Sequence, residues 1–127
     1  MAKGYWIARL DVSDVEIYKQ YVEANAVAFA KYGAKFLARG GPFEQLEGGS
    51  RERNVVLEFE TKEKALECYW SPEYQDALMI RLPAASADII IIEGYDGPQP
   101  PEKPGDAAKV NQAVPYEHLQ AESMVPS

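Results

Sequence analysis

Histidine and cysteine are almost missing from this chain: 127 residues hold one of each, His118 and Cys68. A zinc or iron site of the usual kind needs three or four such ligands, so metal catalysis and haem ligation are disfavoured, and so is a Ser-His-Asp or Cys-His catalytic set. A lone cysteine forms no internal disulfide, and Cys68 falls in a helical pattern where a small apolar residue would serve equally. It reads as an inert packed thiol. Basic residues are also scarce, 13 Lys and Arg against 20 Asp and Glu, which gives a net charge of −7 and a pI near 4.7. Nucleic acid and anionic membrane are poor partners for such a surface, because phosphate recognition needs clustered Lys and Arg. No apolar run approaches the ~20 residues needed to span a bilayer. The N-terminal Met1-Ala-Lys-Gly-Tyr-Trp lacks the apolar stretch of a leader, so a cytoplasmic location is expected. Gly40-Gly41 and Gly48-Gly49 have neither the spacing nor the strand-to-helix setting of a phosphate loop, and they read as turn glycines.

What the chain does have is a hydrophobic fraction of 46% and well-separated periodic segments, enough for one globular domain. Lys3 to Leu10 reads as a strand rich in aromatic and branched residues. Ser13-x-x-Glu16 reads as a capping box opening a helix with Val15, Tyr18, Val22, Ala26 and Phe29 on one stripe, stopped at Gly33. Ala34 to Arg39 is a short strand, and Arg53 to Glu60 alternates, with Val55, Leu57 and Phe59 on one side. Thr61 caps a second helix through Tyr69. Ser71-Pro72 restarts it towards Arg81, with serine at the cap and proline at the first helical position. Ala87 to Tyr95 is the last strand. The order predicts an α+β fold: a ferredoxin-like βαββαβ antiparallel sheet with its helices on one face. Six of nine prolines follow Tyr95. Residues 1–95 are thus the expected domain and 96–127 a Pro-rich extended tail, with a short helical turn near Asp106 to Asn111.

A sheet covered on one side should be polar on the other, yet Ile89 to Ile92 make the last strand apolar on both faces. With Trp6, Ala8, Phe36, Ala38, Val55, Leu57 and Phe59 against the helices, the open face carries Tyr5, Ile7, Leu37 and Val56. That patch predicts a homodimer through the open sheet face, burying on the order of 1,600 Å². The same phase puts Arg9, Arg39, Glu58, Lys35 and, at its edge, Glu93 on this face. These charges either form a ligand site or an ion-pair network that only fixes dimer register.

Gly4-Tyr-Trp-Ile-Ala-Arg9, Tyr32-Gly33-Ala-Lys-Phe-Leu-Ala-Arg39-Gly40-Gly41, Val55-Val-Leu-Glu-Phe59, Ala65…Trp70-Ser71-Pro72-Glu73-Tyr74-Gln75…Arg81 and Ile92-Glu93-Gly94 resemble domain-of-unknown-function family 1330. The resemblance runs from Met1 to about Tyr95, and Ser71 to Gln75 is its most specific part. It implies membership of the dimeric α/β-barrel superfamily, whose protomers pair their sheets into a barrel with a pocket inside. Its relatives include cofactor-free monooxygenases, isomerases, cyclases and haem-degrading enzymes, so the fold leaves the chemistry open. It also implies Arg39, Gly40, Gly41, Tyr69, Ser71, Tyr74 and Arg81 as pocket-lining positions.

The residue types left by these exclusions are Arg, Glu and Tyr, with no cofactor. Glu58 in a low-dielectric barrel is the expected acid or base, with Arg39 or Arg9 holding an anionic or enolate oxygen. Tyr5, Tyr69 or Tyr74 would donate a hydrogen bond. Arg81 has a plainer role open to it, as a partner of the helix C-terminus or of Glu73 or Asp76. Two classes remain: a small-molecule enzyme or binding protein for an anionic, partly aromatic ligand, and a structural homodimer without catalysis.

Overall fold

The computed structural model describes residues 2–101. Its elements are β1 (Gly4–Val12), α1 (Val15–Lys31), β2 (Lys35–Arg39), β3 (Arg53–Phe59), α2 (Lys62–Trp70), α3 (Pro72–Arg81) and β4 (Ala85–Glu93), all within the unit Met1–Tyr95. The four strands form one antiparallel sheet in the order β2-β3-β1-β4, as the ferredoxin-like pattern requires. The expected helical turn near Asp106, and His118 with it, lie outside the described residues. Among those described, no helix is long and apolar enough to cross a membrane.

Alternation explains the core. Trp6, Ala8 and Leu10 from β1 and Val55, Leu57 and Phe59 from β3 point to the helices and are buried. Trp6 is the hub: its ring meets Phe29 edge-on at 5.3 Å, Tyr74 at 4.8 Å, Tyr69 at 5.6 Å and Phe59 at 6.0 Å. Truncating such a residue costs about 3–5 kcal/mol. Gly4 lets β1 pass close beneath the turn into α2, where a Cβ would collide with the Thr61 carbonyl. On β4 the isoleucines divide as expected. Ile89 and Ile91 pack on the core, whereas Ile90 and Ile92 are 56% and 49% exposed on the open face.

Three local expectations are corrected. Asp14, not Ser13, caps α1: its carboxylate accepts from the Ile17 N–H, while the Ser13 hydroxyl donates to the Ala84 carbonyl. The inward stripe of α1 is Tyr18, Tyr21, Asn25, Ala28 and Phe29, and Val15 is exposed. The third correction bears on the site. Phe36 lies opposite Leu57 but Ala38 lies opposite Val56, so Leu37 is an extra residue and β2 bulges. Directly opposed residues share a face. Ala38 therefore lies on the open side with Val56, and Arg39, opposite Val55, turns to the helix side. Glu93, opposite Gly4, also leaves the open face.

The helix restart is built as its sequence predicts. The Thr61 hydroxyl accepts from the Lys64 N–H, and the Ser71 hydroxyl accepts from the Tyr74 N–H while donating to the Cys68 carbonyl at 2.7 Å. Cys68 is fully buried, and desolvation pushes its thiol up to about 12, as fits an inert packed residue.

Candidate functional site

The bulge separates the two residues expected to act together. Glu58 stays on the open face, where it accepts from the Tyr5 hydroxyl at 3.2 Å and lies opposite Lys35. Arg39 is on the other side of the sheet. The open face also holds Arg9, which donates to the Asn54 side chain at 3.2 Å and to the Gly49 carbonyl at 3.1 Å. At the same end of the sheet, Arg51 joins Asp88 at 2.8 Å, Asp11 at 3.1 Å and Ser86 at 2.9 Å, pinning the long β2–β3 loop.

Between α1 and the sheet, near β2, lies a cleft with about 30 Å³ of internal space, room for about one or two waters. The sheet gives it Arg39, Phe36 and Arg53, and α1 gives Tyr18, Tyr21 and Asn25. Arg39 and Arg53 are diagonal neighbours, since Arg39 opposes Val55 and Arg53 precedes it by two residues. The Arg39 guanidinium stacks 4.1 Å from the Phe36 ring centre, and that of Arg53 lies 5.7 Å from the Tyr18 ring centre. Gly40, at φ +65°, sits where a Cβ would collide with the Arg53 guanidinium. That glycine therefore serves the turn and the arginine at once.

Among the described residues, no carboxylate lies within ion-pair distance of Arg39, Arg53 or Arg81. Arg81 is 6% exposed behind the Tyr21 wall, 5.5 Å from that ring centre, and its Nε has no partner; the buried Nε of Arg53 has none either. Of the three only Arg81 is buried, and it lies outside the cleft lining, whereas the exposed Arg39 and half-buried Arg53 line the cleft without an acid and make it favourable to an incoming anion. Burial raises the Tyr18 phenol above its ordinary range, with Arg53 opposing the rise, and leaves a neutral hydroxyl donor at pH 7.

The remaining expected residues scatter. Tyr74 is fully buried, its hydroxyl 2.8 Å from that of Tyr21, and desolvation pushes its phenol pKa far above the ordinary value, so it stays un-ionised. It is core, not rim. Ser71 is spent on capping, and Arg81 is not at a helix-end ion pair, since Glu73 binds Lys31 at 2.8 Å instead. Gly41 lies in the open loop. Tyr69 lines a separate apolar groove with Leu66, Trp70, Ile89 and Ile91, far from Arg39 in the sheet order. Arg53 and Asn25 were missed. Both carried a signal: Arg53 has the phase of Val55, Leu57 and Phe59, and Asn25 stands at helical spacing between Tyr18, Val22 and Phe29.

The fold has known counterparts. A protein of unknown function from Rhodopseudomonas palustris superposes with a TM-score of 0.63 at 16% identity, over 75% of this chain and 84% of its own. Its methylated form gives 0.60 at 18% identity, over 82% and 84%. SnoaB, a cofactor-independent oxygenase from Streptomyces nogalater, gives 0.51 at 9% identity, over 81% of this chain and all of its own, 100%. At these identities the likeness is one of fold. No curated protein matches the chain. The family model for a domain of unknown function, DUF1330, matches residues 3–95, which carry the sheet, the three helices and the arginine cleft, and the chain belongs to that family.

Proposed function

We propose that this protein pairs with a second copy through its open sheet face and takes a small anionic, partly aromatic molecule into the cleft between α1 and the sheet. The observation that carries the reading is the diagonal pair Arg39 and Arg53, lining an aromatic cleft without a carboxylate partner among the described residues. Two guanidiniums would hold a carboxylate or enolate oxygen, and the neutral Tyr18 hydroxyl beside Arg53 would donate to charge developing there. Phe36 and Tyr21 offer flat apolar walls. Such chemistry draws on the cleft's own residues, and SnoaB, an oxygenase that needs no cofactor, has a comparable fold.

Pairing through the open face is supported by the exposed Ile90 and Ile92, flanked by Ile7, Val56 and Ala38 in the register. The polar groups around that strip satisfy one another, Tyr5 with Glu58, Arg9 with Asn54 and Arg51 with Asp11 and Asp88. That arrangement favours a register-setting role for them and moves the acid-base role away from Glu58. Arg39→Met tests both halves. Thermal stabilisation by small aromatic carboxylates should vanish while sedimentation still reports a dimer. A wild type that no such acid stabilises would sink the ligand reading, and a monomer at micromolar concentration would sink the pairing.

A further inference from the structure

Asn25 is the polar residue on the inward stripe of α1. It is 7% exposed and lines the cleft, and its amide is not among the sealed polar groups that lack a partner, so it opens onto the cleft. An amide open to the cleft is met by water when the cleft is empty, and a leucine here would propagate the helix better. An amide kept at that position is poised for something that enters the cleft.

The internal space of about 30 Å³ admits one or two oxygen-sized groups but no ring. A ring is left at the mouth, beside Phe36 and the Arg39 guanidinium that lies over its ring. The register sets the order of groups along the cleft: Arg53 opposes Leu10 at one end, Arg39 opposes Val55 in the middle, and Phe36 opposes Leu57 at the other. Asn25 stands two helical turns along α1 from Tyr18, the residue beside Arg53, so it faces the middle of the cleft.

We infer that Asn25 reads a neutral oxygen next to the anionic group, and that the ligand class is an aryl-substituted 2-oxo or 2-hydroxy acid. The carboxylate lies at the mouth between the exposed Arg39 and Arg53, the adjacent oxygen alone enters to meet the Asn25 amide, and the ring rests beside Phe36. This rests on the reading of the cleft as an anion site and sharpens it.

Phenylpyruvate and 3-phenylpropionate differ by the 2-oxo group alone, and isothermal titration of both against the full chain tests the assignment. The wild type should bind phenylpyruvate about tenfold more tightly, the scale of one well-made hydrogen bond in a desolvated site. In Asn25→Leu the two acids should bind equally, at the affinity of wild type for 3-phenylpropionate. Asn25→Ala should show the same loss of preference and serves if the leucine does not fold. A preference absent from the wild type, or unchanged in both variants, overturns the role of Asn25 while leaving the anion site standing. If neither acid binds the wild type at all, the anion site itself fails, and this inference with it.

Discussion

Replacing Arg53 by methionine should make the unliganded protein more stable. Arg53 and Arg39 are diagonal neighbours on the helix side of the sheet, a placement that sets them about 7–8 Å apart. At an effective dielectric of about 20, two unit charges at that distance repel by about 2 kcal/mol. Arg39 is exposed, so solvent screening reduces this to about 1 kcal/mol. Methionine also removes a buried Nε that has no partner, a gain of about 1 kcal/mol. Against these stands the lost contact between the guanidinium and the Tyr18 ring, at 5.7 Å, about 0.5–1 kcal/mol. The methionine stem fills most of the volume that the arginine stem leaves, so no large cavity opens. The balance is a stabilisation of about 1 kcal/mol, or about 4 °C in melting temperature for a chain of this size. Differential scanning calorimetry at low ionic strength measures it, and the difference should shrink as salt is added. A melting temperature that falls by several degrees instead would show that Arg53 is satisfied by the protein itself, and the case for an anion in the cleft would lose its footing.

Two further changes probe the scaffold. Ser71→Ala removes the cap of α3 and the bond to the Cys68 carbonyl together, and should lower the urea-derived stability by about 1–2 kcal/mol; an unchanged midpoint would show that Pro72 alone starts the helix. Glu73 is held below its ordinary carboxylate value by the hydrogen bond from Lys31, so its contribution is present above about pH 4.5 and is lost as pH falls through the lower folded value. Glu73→Gln should therefore melt slightly below wild type at neutral pH and converge with it on acidification. A gap that persists at pH 3 would assign the effect to packing.

Much of the fold was legible because its signals are local. The alternation of Val55, Leu57 and Phe59, the Ser71-Pro72 restart and the doubled isoleucines of β4 each follow from a period or a cap that the chain states by itself. The site was legible only in part, because it depends on tertiary pairing. Nothing in Lys35 to Arg39 announces that Leu37 will be skipped by β3, and a strict two-residue period then sends Arg39 to the wrong face. Ser13 lost the cap because its hydroxyl finds the Ala84 carbonyl, 71 residues away in sequence. Arg53 and Asn25 are different in kind. Their phases were readable, and a polar residue on an inward phase is the feature that marks a site rather than a wall.

The bulge in β2 gives the family a cheap way to redistribute function. An edge strand touches one neighbour, so a single inserted or deleted residue there disturbs half the pairing that it would in a central strand, and the rest of the sheet keeps its register. Were Leu37 paired with Val56 instead of skipped, Ala38 would oppose Val55 and Arg39 would oppose Asn54, on the open face near Arg9, without altering any residue that lines the cleft from α1 or β3. Relatives with the same residues but a regular, unbulged β2 would then carry this cation on the open face and leave Arg53 as the one sheet arginine beside the cleft.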